Sequence, residues 1–373
     1  MRERKYGMMK NGKIEVLRFL FCISVIFFHC ARILNIPIQV NLGSISFNFF
    51  SHGYIGVEFF FLVSGYFMAG SVNKKQSAGA CSDLGRETLE FMKHKVWGIF
   101  PYHIAAFVIL FIFSVIIDSW GVTEMIANLY KSIPGMLFLQ KFGFNFYNLN
   151  SVEWYISAMF IAMLVLYPLC RRFYSMFVRV IAPFGGLYIS GMLIFRYGSM
   201  SGASRWVEGI GFACVLRALA MISLGTCVYE MAKALRERDF TSTVKRIFTT
   251  AEILAYGIVF FYVVCDMPGY LEIHCVLLLM GALTLTFSGQ TLGTGIFNQG
   301  WAYFLGKASL PLYLNQLAAL RIVRAYGRVA PLKVQVLLVL FITAVLSFVT
   351  FYIGKRIASL GVERHSSEKT SAL

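Results

Sequence analysis

Ten apolar blocks punctuate the chain, at 14–34, 54–72, 96–117, 152–169, 180–196, 209–231, 247–265, 272–288, 301–320 and 332–354, with polar segments between them. A bilayer's hydrocarbon core is crossed by about 20 apolar residues in a helix, so each block reads as a span. The spacing predicts an all-α fold, a polytopic membrane helix bundle of about ten transmembrane helices over residues 1–357, followed by a loose polar tail at 358–373. An even number of spans puts both termini on one side. Lys and Arg gather in the N-terminal segment, the 73–95 loop (Lys74, Lys75, Arg86, Lys93, Lys95), the Arg171/Arg172/Arg179 turn, the 233–246 loop and the Lys355/Arg356 tail, which all fall on that side. By the positive-inside rule this side is the cytoplasm, so the chain reads as a multi-pass cell-membrane protein with both termini cytoplasmic. Arg321, Arg324 and Arg328 run against the rule on the other side.

The segment 118–151 fits neither a span nor a short connector. It holds Ile133-Pro134-Gly135 and the run Asn145-Phe146-Tyr147-Asn148-Leu149-Asn150, too polar for lipid and too long for an idle loop. Two readings stay open, a lid over an external opening or a loop packed on helix ends.

Composition narrows the class. Soluble domains are roughly 25% charged; this chain is 14% charged and 58% apolar, which excludes a water-soluble fold. A net charge of +16 does not mark a nucleic-acid partner, because the basic residues lie between spans; the partner they face is the lipid bilayer. The cysteines include no CxxC pair and mostly sit in apolar blocks, so neither a disulfide framework nor a metal site is expected. The basic N-terminus followed by apolar residues resembles a signal peptide, but Arg18, His29 and Arg32 interrupt the run, and an uncleaved first span is expected.

Ionisable groups inside spans carry the most information, since each costs roughly 2.5–3.5 kcal/mol at mid-membrane unless it faces protein or water. Arg18 and His29 are eleven residues apart, which returns to within about 20° of the same helix face and separates them by about 16 Å along the axis. Cys22 and Ile26 lie between them on that stripe. A neutral imidazole can take a proton from a hydroxyl near neutrality, and a cation nearer the cytoplasm can hold a phosphate-bearing donor. Glu58, Glu153 and Arg217 are further charges in or at the ends of spans. Either acid could orient His29 or pair with Arg217, and structural ion pairing is at least as expected as catalysis.

The run from Arg18 to His29, followed by Gly56-Val-Glu-Phe-Phe-Phe-Leu-Val-Ser-Gly65-Tyr66, resembles the membrane-bound acyltransferase-3 family, with its Arg-x10-His first helix and Phe-Phe-x-x-Ser-Gly second helix. Trp154-Tyr-Ile-Ser157, Leu166-Tyr-Pro168 and Leu305-Gly-Lys-Ala-Ser309-Leu-Pro-Leu-Tyr313-Leu314 extend the similarity over essentially the whole chain. The resemblance implies an integral membrane O-acyltransferase that moves an acyl group, most often acetyl, from cytoplasmic acyl-coenzyme A to a hydroxyl of an extracytoplasmic acceptor such as a cell-surface glycan. It implies proton or acyl transfer at His29 and a donor-binding or active-site structural role for Arg18. Two positions depart from the family pattern. Lys95-Val-Trp-Gly98 stands where a basic Arg-x-x-Arg pair precedes the third helix, with Pro101 retained, and Tyr313-Leu314-Asn315-Gln316 stands where Tyr-Leu-x-His is frequent.

The candidate residues are His29 and Glu153 for catalysis, Arg18, Lys93 and Lys95 for the donor (acetyl-CoA or another acyl-CoA), and Glu58, Ser64, Trp154, Arg217, Tyr313 and Gln316 for substrate. Tyr147 and Phe146, with Trp154, are candidates for stacking on a sugar, although aromatic residues gather at any membrane interface. Gly98 and Gln316 favour a second reading, a permease of the same fold that carries a small polar solute without chemistry.

Overall fold

The computed structural model of the protein describes residues 11–34, 39–42, 45–48, 50–79, 83–143, 148–202 and 205–370, the side chains of 39–48 and 361–370 excepted. Twelve helices follow in chain order: α1 (Gly12–Ile33), α2 (Ile55–Ser77), α3 (Leu84–Asp118), α4 (Val122–Met136), α5 (Trp154–Arg172), α6 (Tyr174–Tyr197), α7 (Ala213–Arg236), α8 (Ser242–Val264), α9 (Glu272–Ser288), the short α10 (Thr294–Phe297), α11 (Gly300–Tyr326) and α12 (Leu332–Thr370). Two antiparallel hairpins, β1 (Gln39–Leu42) with β2 (Ile45–Asn48) and β3 (Trp206–Val207) with β4 (Gly211–Phe212), are the only sheets among the described residues.

Nine helices of the described chain are long and apolar enough to cross a membrane. The tenth expected span is α11, whose 27 residues give it the length while Lys307, Asn315, Gln316, Arg321 and Arg324 lower its hydropathy. Asn315 and Gln316 are fully buried, so this polar helix survives by facing protein instead of lipid. The predicted and observed spans differ most where charge continues a helix into water. Asp83 caps the first turn of α3 through the Arg86 backbone N–H (2.9 Å), and the helix runs from Leu84 through its charged first turns to Asp118, well before the expected start at 96. The predicted loose tail likewise begins as helix, since α12 continues to Thr370. Within 118–151, the Val122–Met136 stretch is helical.

Contacts between helix ends fix the topology. Asn11 reaches Thr286, Gln76 reaches Arg171, and Arg236 reaches Phe287, all at the face where α1 begins, here the lower face. Ser51 reaches Cys265, Met200 reaches Glu272, and Arg321 reaches Asp118 at the upper face. The spans therefore alternate, and both ends of the described chain lie at the lower face. A buried cluster fastens that face: Lys13 Nζ donates to Glu252 (2.7 Å) and Thr291 (2.8 Å), and Thr286 donates to the other Glu252 oxygen (2.7 Å).

In lipid, helices gain little from hiding apolar surface, so close packing and small residues decide the contacts. α2 and α7 are the central pair, and they cross at Gly65 and Gly225. A Cβ on Gly65 would lie 2.0 Å from the Ile222 carbonyl oxygen, and one on Gly225 2.2 Å from that of Leu62. Phe21 of α1 stacks between Phe59 and Phe260, at 4.3 and 4.8 Å, joining α1, α2 and α8.

Candidate active site

The Arg18–His29 stripe of α1 lies against α11, and the two helices run parallel. Going up the stripe, Glu15 packs on Gly306, the Cys22 thiol donates to the Ser309 carbonyl (3.2 Å), and His29 meets Gln316 (2.8 Å). Glu15 in turn accepts from Arg18 at 3.1 Å. Gly306 is required for this seat, because a Cβ there would sit 1.8 Å from the Glu15 carboxylate. The glycine of the late motif thus makes room for the acid that holds Arg18.

Gln316 fixes the chemistry available to His29. Its side-chain N–H donates to the Tyr313 carbonyl (2.9 Å), which turns Oε1 toward the ring, 2.8 Å from His29 Nδ1. An amide oxygen only accepts, so the ring donates from Nδ1, and in the neutral tautomer the lone pair is on Nε2. This assignment follows from the hydrogen-bond network. The imidazole is half-buried, with the next cation of α1, Arg32, over the Phe28 ring at 5.4 Å.

His29 stands at the upper end of the central helices. Gly53 packs on Ser24 and Phe28 of α1 just before α2 begins. Asn150 donates to the Leu314 carbonyl just before α5 begins. By contrast, α3 and α11 climb on to Asp118 and Tyr326, where Arg321 bonds Asp118 (2.5 Å) and Ser114 (2.9 Å). The ring thus lies level with the tops of α2 and α5 and below those of α3 and α11.

At the other end of the stripe, Arg18 is one-third exposed and close enough to Lys95 and Tyr155 for its charge to act on both. The Lys95 ammonium lies 5.6 Å above the Phe91 ring. Tyr155 is within hydrogen-bonding reach of Ser64, whose hydroxyl also meets Met159 at 3.5 Å. The structure therefore puts Lys95 and Tyr155 within charge range of Arg18, and Ser64 beside Tyr155. Lys93, two residues from Lys95 and so on the opposite side of α3, is exposed and apart from them. Gly98 is exposed, and a Cβ there would meet nothing within 4 Å.

The two acids weighed as partners for His29 are engaged elsewhere. Glu58 binds Arg217, with oxygen–nitrogen distances of 2.5 and 2.6 Å, and Arg217 also donates to the Tyr54 carbonyl (3.0 Å) and lies 5.6 Å from the centre of the Trp154 ring. Glu58 Oε2 is buried without a hydrogen-bond partner. Tyr54 donates to Glu272 and faces His52, which extends this network to the upper loops. Glu153 accepts from Asn150 (2.9 Å) and lies 2.9 Å from His103 Nδ1, fully buried on both sides. Tyr313 donates to the Val152 carbonyl and faces Tyr155 at a ring distance of 5.9 Å. Of the substrate candidates, Gln316 is the one whose side chain is hydrogen-bonded to His29 among the described residues.

Sequence reasoning passed over Glu15, His103 and Glu272, and took Asn150 only as part of a polar run. Two of these carried a usable signal: Glu15 precedes Arg18 at the i,i+3 spacing of a helical ion pair, and His103 is an imidazole inside a span, the very criterion that selected His29. Asn145, Phe146 and Tyr147 lie outside the described residues, as do Cys81 and the basic residues before position 11. The seven described cysteines are buried thiols. Among the described residues, no group of three His, Cys, Asp or Glu side chains is placed to hold a metal ion.

A family model described as an acyltransferase domain matches residues 11–353. Neither the curated proteins nor the solved structures give a match to the chain.

Proposed function

Because the chain belongs to the acyltransferase-3 family and is therefore a membrane acyltransferase, we propose that it transfers an acyl group, acetyl in the first instance, from acyl-coenzyme A at the lower face to a hydroxyl at the upper face. The observation that carries the reading is the His29–Gln316 pair: an imidazole locked with Nδ1 as donor and Nε2 as acceptor, half-buried, on one stripe with Arg18. In this reading the lower face is cytoplasmic, since Lys74, Lys75, Arg171, Arg172, Arg236, Lys355 and Arg356 lie toward it. Arg18 and Lys95 hold the phosphates of the donor, and the pantetheine arm covers the roughly 16 Å of helix rise that separates Arg18 from His29. Nε2 takes the hydroxyl proton as the oxygen attacks the thioester carbonyl. The tetrahedral intermediate expels the coenzyme A thiolate, which recovers the proton from the imidazolium. Holding both reactants beside one base supplies the remaining acceleration by proximity.

Glu153 and Glu58 are structural in this proposal, because each is sealed in its own ion pair. The test is release of free coenzyme A by the purified protein given acetyl-CoA, with His29→Ala alongside. Release that disappears in the variant supports acyl transfer. Uptake of a polar solute that needs no coenzyme A and survives the loss of His29 would instead favour a permease, the reading to which the uncharged Gly98 lends its weight.

A further inference from the structure

The arginines that defy the positive-inside rule line two clefts at the upper face. One, of about 230 Å³, lies between Ile33 and Leu34 at the end of α1, Arg324, Arg328 and Gln335. The other, of about 370 Å³, lies between Ile117 and Asp118 at the end of α3, Arg321, Arg324, Ala325 and Arg328. Arg324 and Arg328 line both. Arg321 is paired with Asp118 and Ser114, whereas Arg324 and Arg328 are exposed and have no carboxylate in ion-pair range among the described residues. Both guanidinium groups thus line the clefts with no side-chain hydrogen-bond partner among the described residues, a geometry suited to planar, bidentate oxyanions.

The place of these clefts ties them to His29. Ile33 and Leu34 follow His29 by one turn of α1, and Arg324 follows Gln316 by eight residues of α11, about 12 Å along the helix. We propose that Arg324 and Arg328 dock the carboxylate or phosphate of an acidic hydroxyl acceptor, holding it at the rim while a hydroxyl about 12 Å away along the same molecule reaches His29. This deepens the acyl-transfer reading and rests on it for the hydroxyl's role, while the anion site itself stands on the clefts. A lipid headgroup is the less favoured occupant, because the smaller cleft is bounded by α1, the helix that carries the imidazole, and by the buried Gln335, not by lipid-facing surface alone.

The test uses the full chain in nanodiscs of phosphatidylcholine, with trigalacturonate as the acidic probe and maltotriose as the neutral one. Trigalacturonate should bind, inorganic phosphate and raised salt should displace it, and maltotriose should bind at least about tenfold more weakly. The Arg324→Gln/Arg328→Gln double variant should lose at least about tenfold in affinity for trigalacturonate with an unchanged melting profile, as expected for two exposed side chains. Arg324→Glu should do the same. Equal binding by wild type and double variant, or no binding of the acidic probe, would overturn the proposal. So would arginine-dependent enrichment of phosphatidylglycerol that excludes trigalacturonate in a second set of nanodiscs mixing that lipid with phosphatidylcholine, which would hand the clefts to lipid. Coenzyme A release in the same preparations separates the two ideas: absent turnover with intact, arginine-dependent binding sinks the acyl-transfer reading and leaves the anion site standing.

Discussion

Two kinds of polar site coexist in this bundle, and they differ in what is left over. At Arg217–Glu58 and His103–Glu153, charge or potential charge is matched in place and the side chains are at most 2% exposed. At His29 the partner is one neutral amide, the ring is half-buried, and the second nitrogen has no hydrogen-bond partner among the described protein atoms. Sealed pairs hold helices together, and breaking one leaves a charge stranded in low dielectric. An imidazole with one nitrogen unsatisfied by described protein atoms, at the top of the central helices, is instead the group that a third molecule would complete. The position of an ionisable residue in a span marks it as costly; its partner decides whether that cost serves structure or chemistry.

The contrast can be broken most sharply at His29. His29→Ala should lower coenzyme A release by about 10²- to 10⁴-fold, the range of a lost general base, with a normal melting curve; a variant that keeps wild-type turnover would place the chemistry elsewhere. Glu58→Ala should do the reverse and act on the fold, costing about 3–5 kcal/mol because Arg217 is left buried and unpaired. Thermal unfolding in detergent reads this, and the Glu58→Leu/Arg217→Met double variant should recover much of the loss. Gln316→Leu removes the group that sets the tautomer, and turnover should fall roughly 10- to 100-fold, the scale seen for groups that orient metal-bound imidazoles, at little change in donor KM. Arg18→Ala should raise the KM for acetyl-CoA by about tenfold and leave kcat nearly unchanged if its contacts are alike in ground and transition states. The smallest effect is expected from Glu153→Gln, an isostere that still accepts from Asn150 and His103: turnover should change by less than about twofold, within what one neutral hydrogen bond alters. A larger drop without loss of folding would restore Glu153 to the reaction.

How legible each part was depends on the range of the interaction behind it. The spans and the Arg18–His29 stripe follow from periodicity within one helix, which a sequence displays directly. Gln316 was visible as a departure from a family pattern, but its bond to His29 joins α1 to α11 across 287 residues, and no local signal specifies that. His103 and Glu153 are 50 residues apart, so each looked alone. The early start of α3 was hidden because hydropathy detects the part of a helix in lipid and is blind to a capped, charged extension. The α4 segment carries Val122, Ile126, Leu129 and Ile133 at helical spacing, a pattern outweighed by the polar run that follows it. All four are exposed, as suits a helix lying at the boundary between lipid and water.

The glycine contact between α2 and α7 bears on the hydroxyl beside it. With carbonyls where side chains would be, neither helix can slide or turn past the other without steric collision, so the central pair behaves as one rigid unit. Ser64 lies one residue before Gly65, about 100° round the helix, and its height beside Tyr155 is set by backbone contact on that neighbouring face. The small residue in the Ser-Gly motif therefore works as a ruler for the larger one, and the give needed to admit a bulky ligand is left to the other helices.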